Sequence, residues 1–405
     1  MYVKIKFMKQ ENKAIAFFEV FSFYLITGAA CLVLGVSLTS LMDHYEVTVQ
    51  KVAALSAAFA AGRFAAVFLF GYLTDRIGPR IVYFIGVVLE LCYFFMIPLL
   101  PYYTVGLIAA FLGGAGMSAQ DTTNPLILSA FFPDKYPSMM SIGQAFFGAG
   151  CLLPSVIRSV FLPLGISFRW IFYVFGLLAV LMVILYPFFR FPDLSSAKLA
   201  EEGGHARTGA YLTAFIPGMI AIVLSCAAYC ATTNTIGLYT SAFAETLPIS
   251  ASLGANLITL YNIGGMAGSL INAALLRKIR PVQVLCMTSF IALMMLGIMM
   301  AVKEPAVYFA GRLVMGLCLG ALYSVFVVLA TGIFPTHAGL AAAGVAVTSA
   351  VADAAAPLIT GKLVQDLGIN ASFYAEAALL ILTVGGAVVF ALLYREKKQS
   401  PEVSE

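Results

Sequence analysis

The sequence predicts an all-α membrane protein, with twelve transmembrane helices arranged as two pseudo-symmetric six-helix bundles. Three observations carry that expectation. Twelve long apolar stretches fill almost all of the 405 residues. The basic residues fall on alternate gaps between the stretches. Prolines recur at matching places in the two halves.

Composition sets the solvent. The chain is 61% hydrophobic and 10% charged, whereas a soluble domain is about 25% charged. A bilayer core takes roughly 20 apolar residues of helix to cross. Within lipid every backbone N–H and C=O needs an internal partner, which favours helices. The net charge of +4 is too small to argue for nucleic acid.

The first span, 15–42, follows a basic start (Lys4, Lys6, Lys9, Lys13). That start resembles a secretory signal, but the apolar run is too long and lacks a small-residue cleavage pattern, so it reads as a spanning helix. Spans at 50–74, 81–100, 103–131, 139–164 and 168–190 follow, divided by short polar or Pro-containing breaks. The longest polar stretch, 190–208, divides the chain near its midpoint. Six more spans come after it, at 209–244, 250–276, 282–301, 305–333, 338–364 and 371–394. The expected organisation is an N-terminal bundle at 1–190, a cytoplasmic linker at 191–208 and a C-terminal bundle at 209–405.

Charge orients the helices. With a cytosolic N-terminus, the inner segments hold sixteen of the 23 basic residues and the outer ones only Lys51, Arg169 and Lys303. The positive-inside rule then places both termini in the cytoplasm, with the chain multi-pass in the cytoplasmic membrane. The lipid bilayer is one expected partner, and a monomer the expected state.

The halves repeat. Pro79 is matched by Pro281, and Phe132-Pro133 by Phe334-Pro335, each 202 residues apart, while Pro154 and Pro357 match at 203. Internal repeats mark secondary transporter folds. Glycines at 113, 114, 116, 143, 148, 150, 264, 265 and 268 remove bulk where helices pack in lipid. The seven cysteines all lie in apolar spans without a CxxC pair and read as small buried hydrophobes. His44, His205 and His337 are too scattered for a metal centre. No Walker loop and no nucleophilic triad is present, so an enzyme is not expected.

Between the second and third spans runs Gly71-Tyr72-Leu73-Thr74-Asp75-Arg76-Ile77-Gly78-Pro79-Arg80. It resembles the signature loop of the major facilitator superfamily, G-x-L-x-D-R-x-G-R-[RK], at Gly71, Leu73, Asp75, Arg76, Gly78 and Arg80, with Pro79 in place of a basic residue. With twelve spans and a midpoint loop, the resemblance covers the whole chain and implies the major facilitator fold. It implies a gating loop in which Asp75 braces the outward-open state at the start of span 11, beside Arg76. An anion suits a helix N-terminus. The corresponding loop of the second half, 276–281, has no aspartate.

Charges within spans are costly, roughly 2.5–3.5 kcal/mol at the bilayer centre on insertion scales, and persist where they face a cavity or a partner. The candidates are the acids Glu90, Asp121, Asp353 and Glu376 and the bases Arg63, Arg158, Arg312 and Lys362. Arg63 and Glu90, mid-span on consecutive helices, are expected to pair. Asp121 stands in a polar run, Ser118-Ala119-Gln120-Asp121-Thr122-Thr123-Asn124-Pro125, that shares a face with Asn124. A carboxyl buried in a low-dielectric site favours its neutral form and can exchange protons near neutral pH. Asp121 is therefore the expected coupling site, with Glu90 and Asp353 as further candidates. The run is similar to span 4 of the fucose–hexose transporter-like branch, where an acid before Asn-Pro serves in proton coupling or sugar binding. There the acid stands four residues before the Asn, where this chain has Gln120.

Span 5 adds Ser141 and Gln144. Span 7 has Tyr229, Thr232, Thr233, Asn234 and Tyr239, and span 8 has Asn256, Tyr261 and Asn262. Amides and hydroxyls beside flat rings suit hydroxyl-rich solutes. Expected substrate contacts are Asn124, Gln144, Asn234, Tyr261 and Asn262, with Arg158 and Arg312 for a carboxylate. The favoured site lies between the halves at mid-membrane depth.

Three functions stand open. The first is a secondary active transporter working by alternating access, a proton-coupled symporter of a small sugar-like solute. The second is a proton-driven drug exporter, for which span 5 lacks the Gly-Pro signature and span 4 the usual Arg. The third is an organic-anion carrier using Arg158 and Arg312. No cofactor is expected beyond a proton gradient, with sodium still open as the coupling ion.

Overall fold

The computed structural model describes residues 2–161, 164–188, 216–244, 251–334 and 337–399. In chain order the helices are α1 (Tyr2–Val36), α2 (Leu38–Tyr45), α3 (Val49–Ile77), α4 (Pro79–Leu99), α5 (Tyr103–Phe131), α6 (Tyr136–Phe161) and α7 (Arg169–Leu185). They continue with α8 (Ile216–Ala244), α9 (Ala251–Leu275), α10 (Pro281–Val302), α11 (Pro305–Leu319), α12 (Leu322–Ile333), α13 (Ala338–Leu367) and α14 (Ala371–Gln399). Each of the twelve expected ranges carries helix, and no strand occurs among the described residues. Nine helices there are long and apolar enough to cross a membrane. The polar run of α5 keeps that helix out of the nine, and among the described residues α13 contributes a shorter apolar piece, Ala338–Asp353. The linker expected at 191–208 lies outside the described residues.

Contacts divide the chain into two units. One is Met1–Met139 with Gly143–Leu194 and His337–Val347, and the other is Met140–Ile142 with Ser195–Thr336 and Thr348–Glu405. In the first, α5 packs along α3 and α4, and α7 along α4 and α1. In the second, α8 packs on α14, α9 on α11, and α10 on α11 and α14.

Sequence punctuation sets the helix ends. Pro79, Pro281 and Pro305 each sit in the first turn of their helix, where the missing N–H costs no internal bond. Phe132 and Phe334, the repeat partners, both close their helices, with N–H bonds to the carbonyls of Leu128 and Ala330. Gly78 links α3 to α4 in a single residue at φ +93°, ψ 151°, a region open to glycine alone. The turn therefore accounts for that glycine of the loop.

The repeat runs deeper than its prolines. On α3 and α5, a Cβ on Gly62 would strike the carbonyl oxygen of Phe111, and one on Gly114 that of Phe59. On α9 and α11, a Cβ on Gly264 would strike the carbonyl oxygen of Leu313, and one on Gly316 that of Tyr261. All four positions of one crossing lie 202 residues from their counterparts in the other. Backbones meet at these points because no side chain intervenes, the packing that lipid favours when apolar burial gains little.

A second seam joins α1–α2 to α4. Tyr83 Oη contacts Glu19, Thr27 Oγ1 donates to Glu90, Tyr93 Oη donates to the carbonyl of Ala30, and Tyr45 Oη donates to that of Ile97. The residue numbers rise together, so the two segments run in the same direction.

Gly114→Ala is expected to destabilise the folded protein by about 1–3 kcal/mol, because overpacking must push α3 from α5. Gly237→Ala, with no atom near its Cβ, should be close to neutral. Thermal unfolding of the two variants in detergent checks the contrast.

Candidate functional site

In the first unit a polar centre gathers on α5 and its neighbours. Residues 118–124 are all buried, between 0% and 7% exposed. Thr122 and Thr123 return their hydroxyls to carbonyls one turn back, so they satisfy themselves. Asp121 does not. Arg63 on α3 donates to its Oδ2 from Nε at 3.2 Å and from Nη2 at 3.0 Å. Ser118 Oγ binds the backbone carbonyl of Arg63 at 2.6 Å, fixing the arginine's place along α5.

The expected Arg63–Glu90 pair is corrected. Arg63 turns to α5 because α3 packs along that helix, while Glu90 on α4 faces α1. There Thr27 Oγ1 donates to Glu90 Oε1 at 2.6 Å, and Oε2 is buried without a hydrogen-bond partner. Asn124 donates from Nδ2 to the carbonyl of Val20 at 3.4 Å, and its Oδ1 is likewise buried without a partner. Gln144 is half-buried on α6. Arg158, also on α6, donates to Thr39 Oγ1 at 3.1 Å.

The loop 71–80 belongs to the same unit. Asp75 accepts from the N–H of Gly339 at 2.8 Å and of Leu340 at 3.0 Å, the first turn of α13. These amides have no intrahelical acceptor, so the carboxylate answers two orphan donors and the helix dipole together. Gly71 lets α13 approach, since a Cβ there would lie 2.7 Å from that of Ala343. Arg76 donates to Tyr72 Oη, and Arg80 lies over the Tyr186 ring at 5.1 Å. His44, on α2, is held below the usual imidazole range by burial and then by the Arg169 charge.

In the second unit the dominant charge contact is Arg312 on α11 with Glu376 on α14. It is bidentate at 2.8 and 3.0 Å, both residues at most 1% exposed, with the guanidinium 5.1 Å from the Phe373 ring centre. That fork is filled by a protein carboxylate. Asn234 on α8 has its Oδ1 buried without a partner. Tyr261 is half-buried and Asn262 exposed on α9. Asp353 on α13 accepts from Ser349 Oγ at 3.2 Å. The side chain of Asn256 lies outside the described residues.

The sequence profile of the Major Facilitator Superfamily matches residues 20–301 and 220–405. The chain belongs to the major facilitator superfamily. This transporter is 23% identical over 379 residues to the uncharacterized MFS-type transporter YfkL of Bacillus subtilis, across 93% of this chain and 95% of that one. In fold it resembles FucP, solved in the outward conformation, with a TM-score of 0.78 and 16% identity over 94% of this chain and 99% of that one. A second FucP structure, of the E. coli fucose:proton symporter, gives a TM-score of 0.77 at 15% identity, with 94% and 99% of the two chains covered. The proton:xylose symporter XylE gives 0.73 at 16% identity, over 96% of each chain.

One buried acid escaped the sequence reading. Glu19, inside the first expected span, is 0% exposed and meets Tyr83 of α4. Its place within an apolar run was the available signal. Glu19 is thus a buried fifth acid beside the four counted in the spans. Apart from Arg63–Asp121 and Arg312–Glu376, no further Lys or Arg salt bridge to an acid occurs among the described residues.

Glu376→Ala is expected to cost about 3–5 kcal/mol, because it strands a buried guanidinium. Adding Arg312→Met should recover much of that loss, as read by thermal unfolding. Asp75→Ala should speed hydrogen exchange at the Gly339 and Leu340 amides and leave the α10 amides unchanged.

Proposed function

We propose that this transporter is a proton-coupled symporter of a small, hydroxyl-rich polar solute, with Asp121 as the coupling carboxyl. The observation that carries the reading is the Asp121–Arg63 contact inside the polar run of α5. A proton and a guanidinium compete for one carboxylate. Protonation of Asp121 weakens the hold of Arg63, and deprotonation restores it, so proton binding is tied to the α3–α5 crossing. The ion pair keeps the site from standing as an uncompensated buried charge. Glu90 and Asp353, which accept from the hydroxyls of Thr27 and Ser349, are secondary candidates in the same cycle. The likeness in fold to FucP and XylE, proteins described as proton symporters, agrees with protons rather than sodium.

Asn124 and Asn234 are the strongest candidate solute contacts. A buried amide oxygen with no donor is costly, and a solute hydroxyl supplies that donor. Gln144, Tyr261 and Asn262 remain further candidates. The filled fork of Arg312 argues against its use for an organic anion. Asp75 at the start of α13 is the proposed gating contact, made and broken as the protein alternates between its two faces. The cluster of basic residues in the gaps that share a side with both termini supports termini in the cytoplasm of a cell membrane.

Asp121→Asn should abolish proton-driven accumulation in reconstituted vesicles while leaving downhill exchange of the same solute. Accumulation by that variant at the wild-type level would overturn the coupling role. A screen of sugars, organic acids and lipophilic cations by thermal shift supplies the solute, because a ligand that binds only the folded state raises the melting point. Stabilisation by lipophilic cations alone would replace the symporter with an exporter.

A further inference from the structure

The acid that composition and spacing passed over is the most informative group outside the Asp121 site. Glu19 is on α1, 0% exposed, and no base reaches it among the described residues. Its Oε1 is buried without a hydrogen-bond partner. Its Oε2 lies 2.6 Å from Tyr83 Oη, and its own backbone carbonyl lies 3.1 Å from the same phenol.

The proton count on that phenol decides the state of the carboxyl. Tyr83 carries one O–H and serves one of the two acceptors. Both contacts are filled when the carboxyl brings a proton of its own: Glu19 donates through Oε2 to Tyr83 Oη, and Tyr83 donates to the Glu19 carbonyl. The short O···O distance fits an O–H···O bond. A carboxylate in this position would bury a charge with one hydroxyl to answer it, which desolvation opposes. Among the described residues no base pairs with it, and Arg80 of α4 lies over the Tyr186 ring instead. The groups around it on α4 are Tyr83 and Glu90, from the turn after α7 Tyr186, and on α5 the neutral Asn124, which binds the carbonyl of Val20 next along the chain, with Asp121 farther along the same helix. Lys13, on α1 itself, lies over the Phe132 ring.

We infer that Glu19 is a second proton-carrying side chain of the transporter, held as the neutral acid by Tyr83 where the middle of α1 meets the first turns of α4, the helix that follows the gating loop. Release is balanced within the pair. The Oε2–H bond breaks, the proton passes to water, and the single Tyr83 proton turns from the Glu19 carbonyl to the carboxylate it leaves behind. Tyr83 is a positioning residue here. The inference rests on the proton-coupled reading for its place in the cycle, but its chemistry is tested apart from transport.

Infrared spectroscopy of the purified protein at neutral pH provides the test, with the proton itself as the probe. The expected result is a protonated-carboxyl C=O band in wild type that shifts on transfer to D2O. It should vanish in Glu19→Gln and change frequency in Tyr83→Phe. The same band should persist in Asp121→Asn, so loss of coupling in that variant and loss of this assignment are separate outcomes. Superimposable spectra of wild type and Glu19→Gln overturn the inference, as does a band indifferent to D2O. If Glu19→Gln does not fold, the Tyr83→Phe spectrum decides, and an unmoved band overturns the assignment.

Discussion

The absence of water within the membrane governs most of what this chain does with its polar atoms. Every buried donor or acceptor must be answered by another part of the protein. Backbone groups are answered within helices, and at the start of α13 by the Asp75 carboxylate from the last turns of α3. The Thr122 and Thr123 hydroxyls on α5 fold back onto their own turns. Two guanidiniums find acids on neighbouring helices. Among the described residues several buried side-chain atoms have no hydrogen-bond partner, and they include one oxygen each on Glu19, Glu90, Asn124 and Asn234. Those positions are where a proton or a solute has chemistry left to offer.

Close packing makes those answers geometric. Lipid gives apolar side chains little reason to leave it, so helix association depends on fit. Glycines at the α3–α5 crossing bring two backbones into contact, and the adjoining turn of that crossing carries Arg63 and, farther along α5, Asp121. The ion pair therefore reports on the crossing that holds it. The α1–α4 seam works by a different device, a row of hydroxyl groups reaching across to carboxyls and carbonyls. One seam is dry and close, the other is polar and hydrogen-bonded.

Much of this was legible in the sequence. Hydropathy and alternating basic loops gave the helices, because the span length is imposed by the bilayer. The resemblance of residues 71–80 to the superfamily signature gave the contact of Asp75 with the start of α13. Pairing was less legible. Arg63 and Glu90 lie on consecutive helices at similar depth, yet depth is only one coordinate, and the direction each side chain takes around its helix decides its partner. Arg312 and Glu376 were each visible as buried charges, but nothing in their spacing joins α11 to α14. Glu19 was hidden by its setting among aromatics, and its hydroxyl partner carries no charge to advertise it.

The two glycine crossings, spaced alike in the halves, differ in what they carry. Where the first has Arg63 and Asp121, the second has Gly265 and Tyr323 at the same offset. The glycine scaffold is thus common to both units, while each sets its buried ion pair on different helices, Arg63–Asp121 between α3 and α5 and Arg312–Glu376 between α11 and α14.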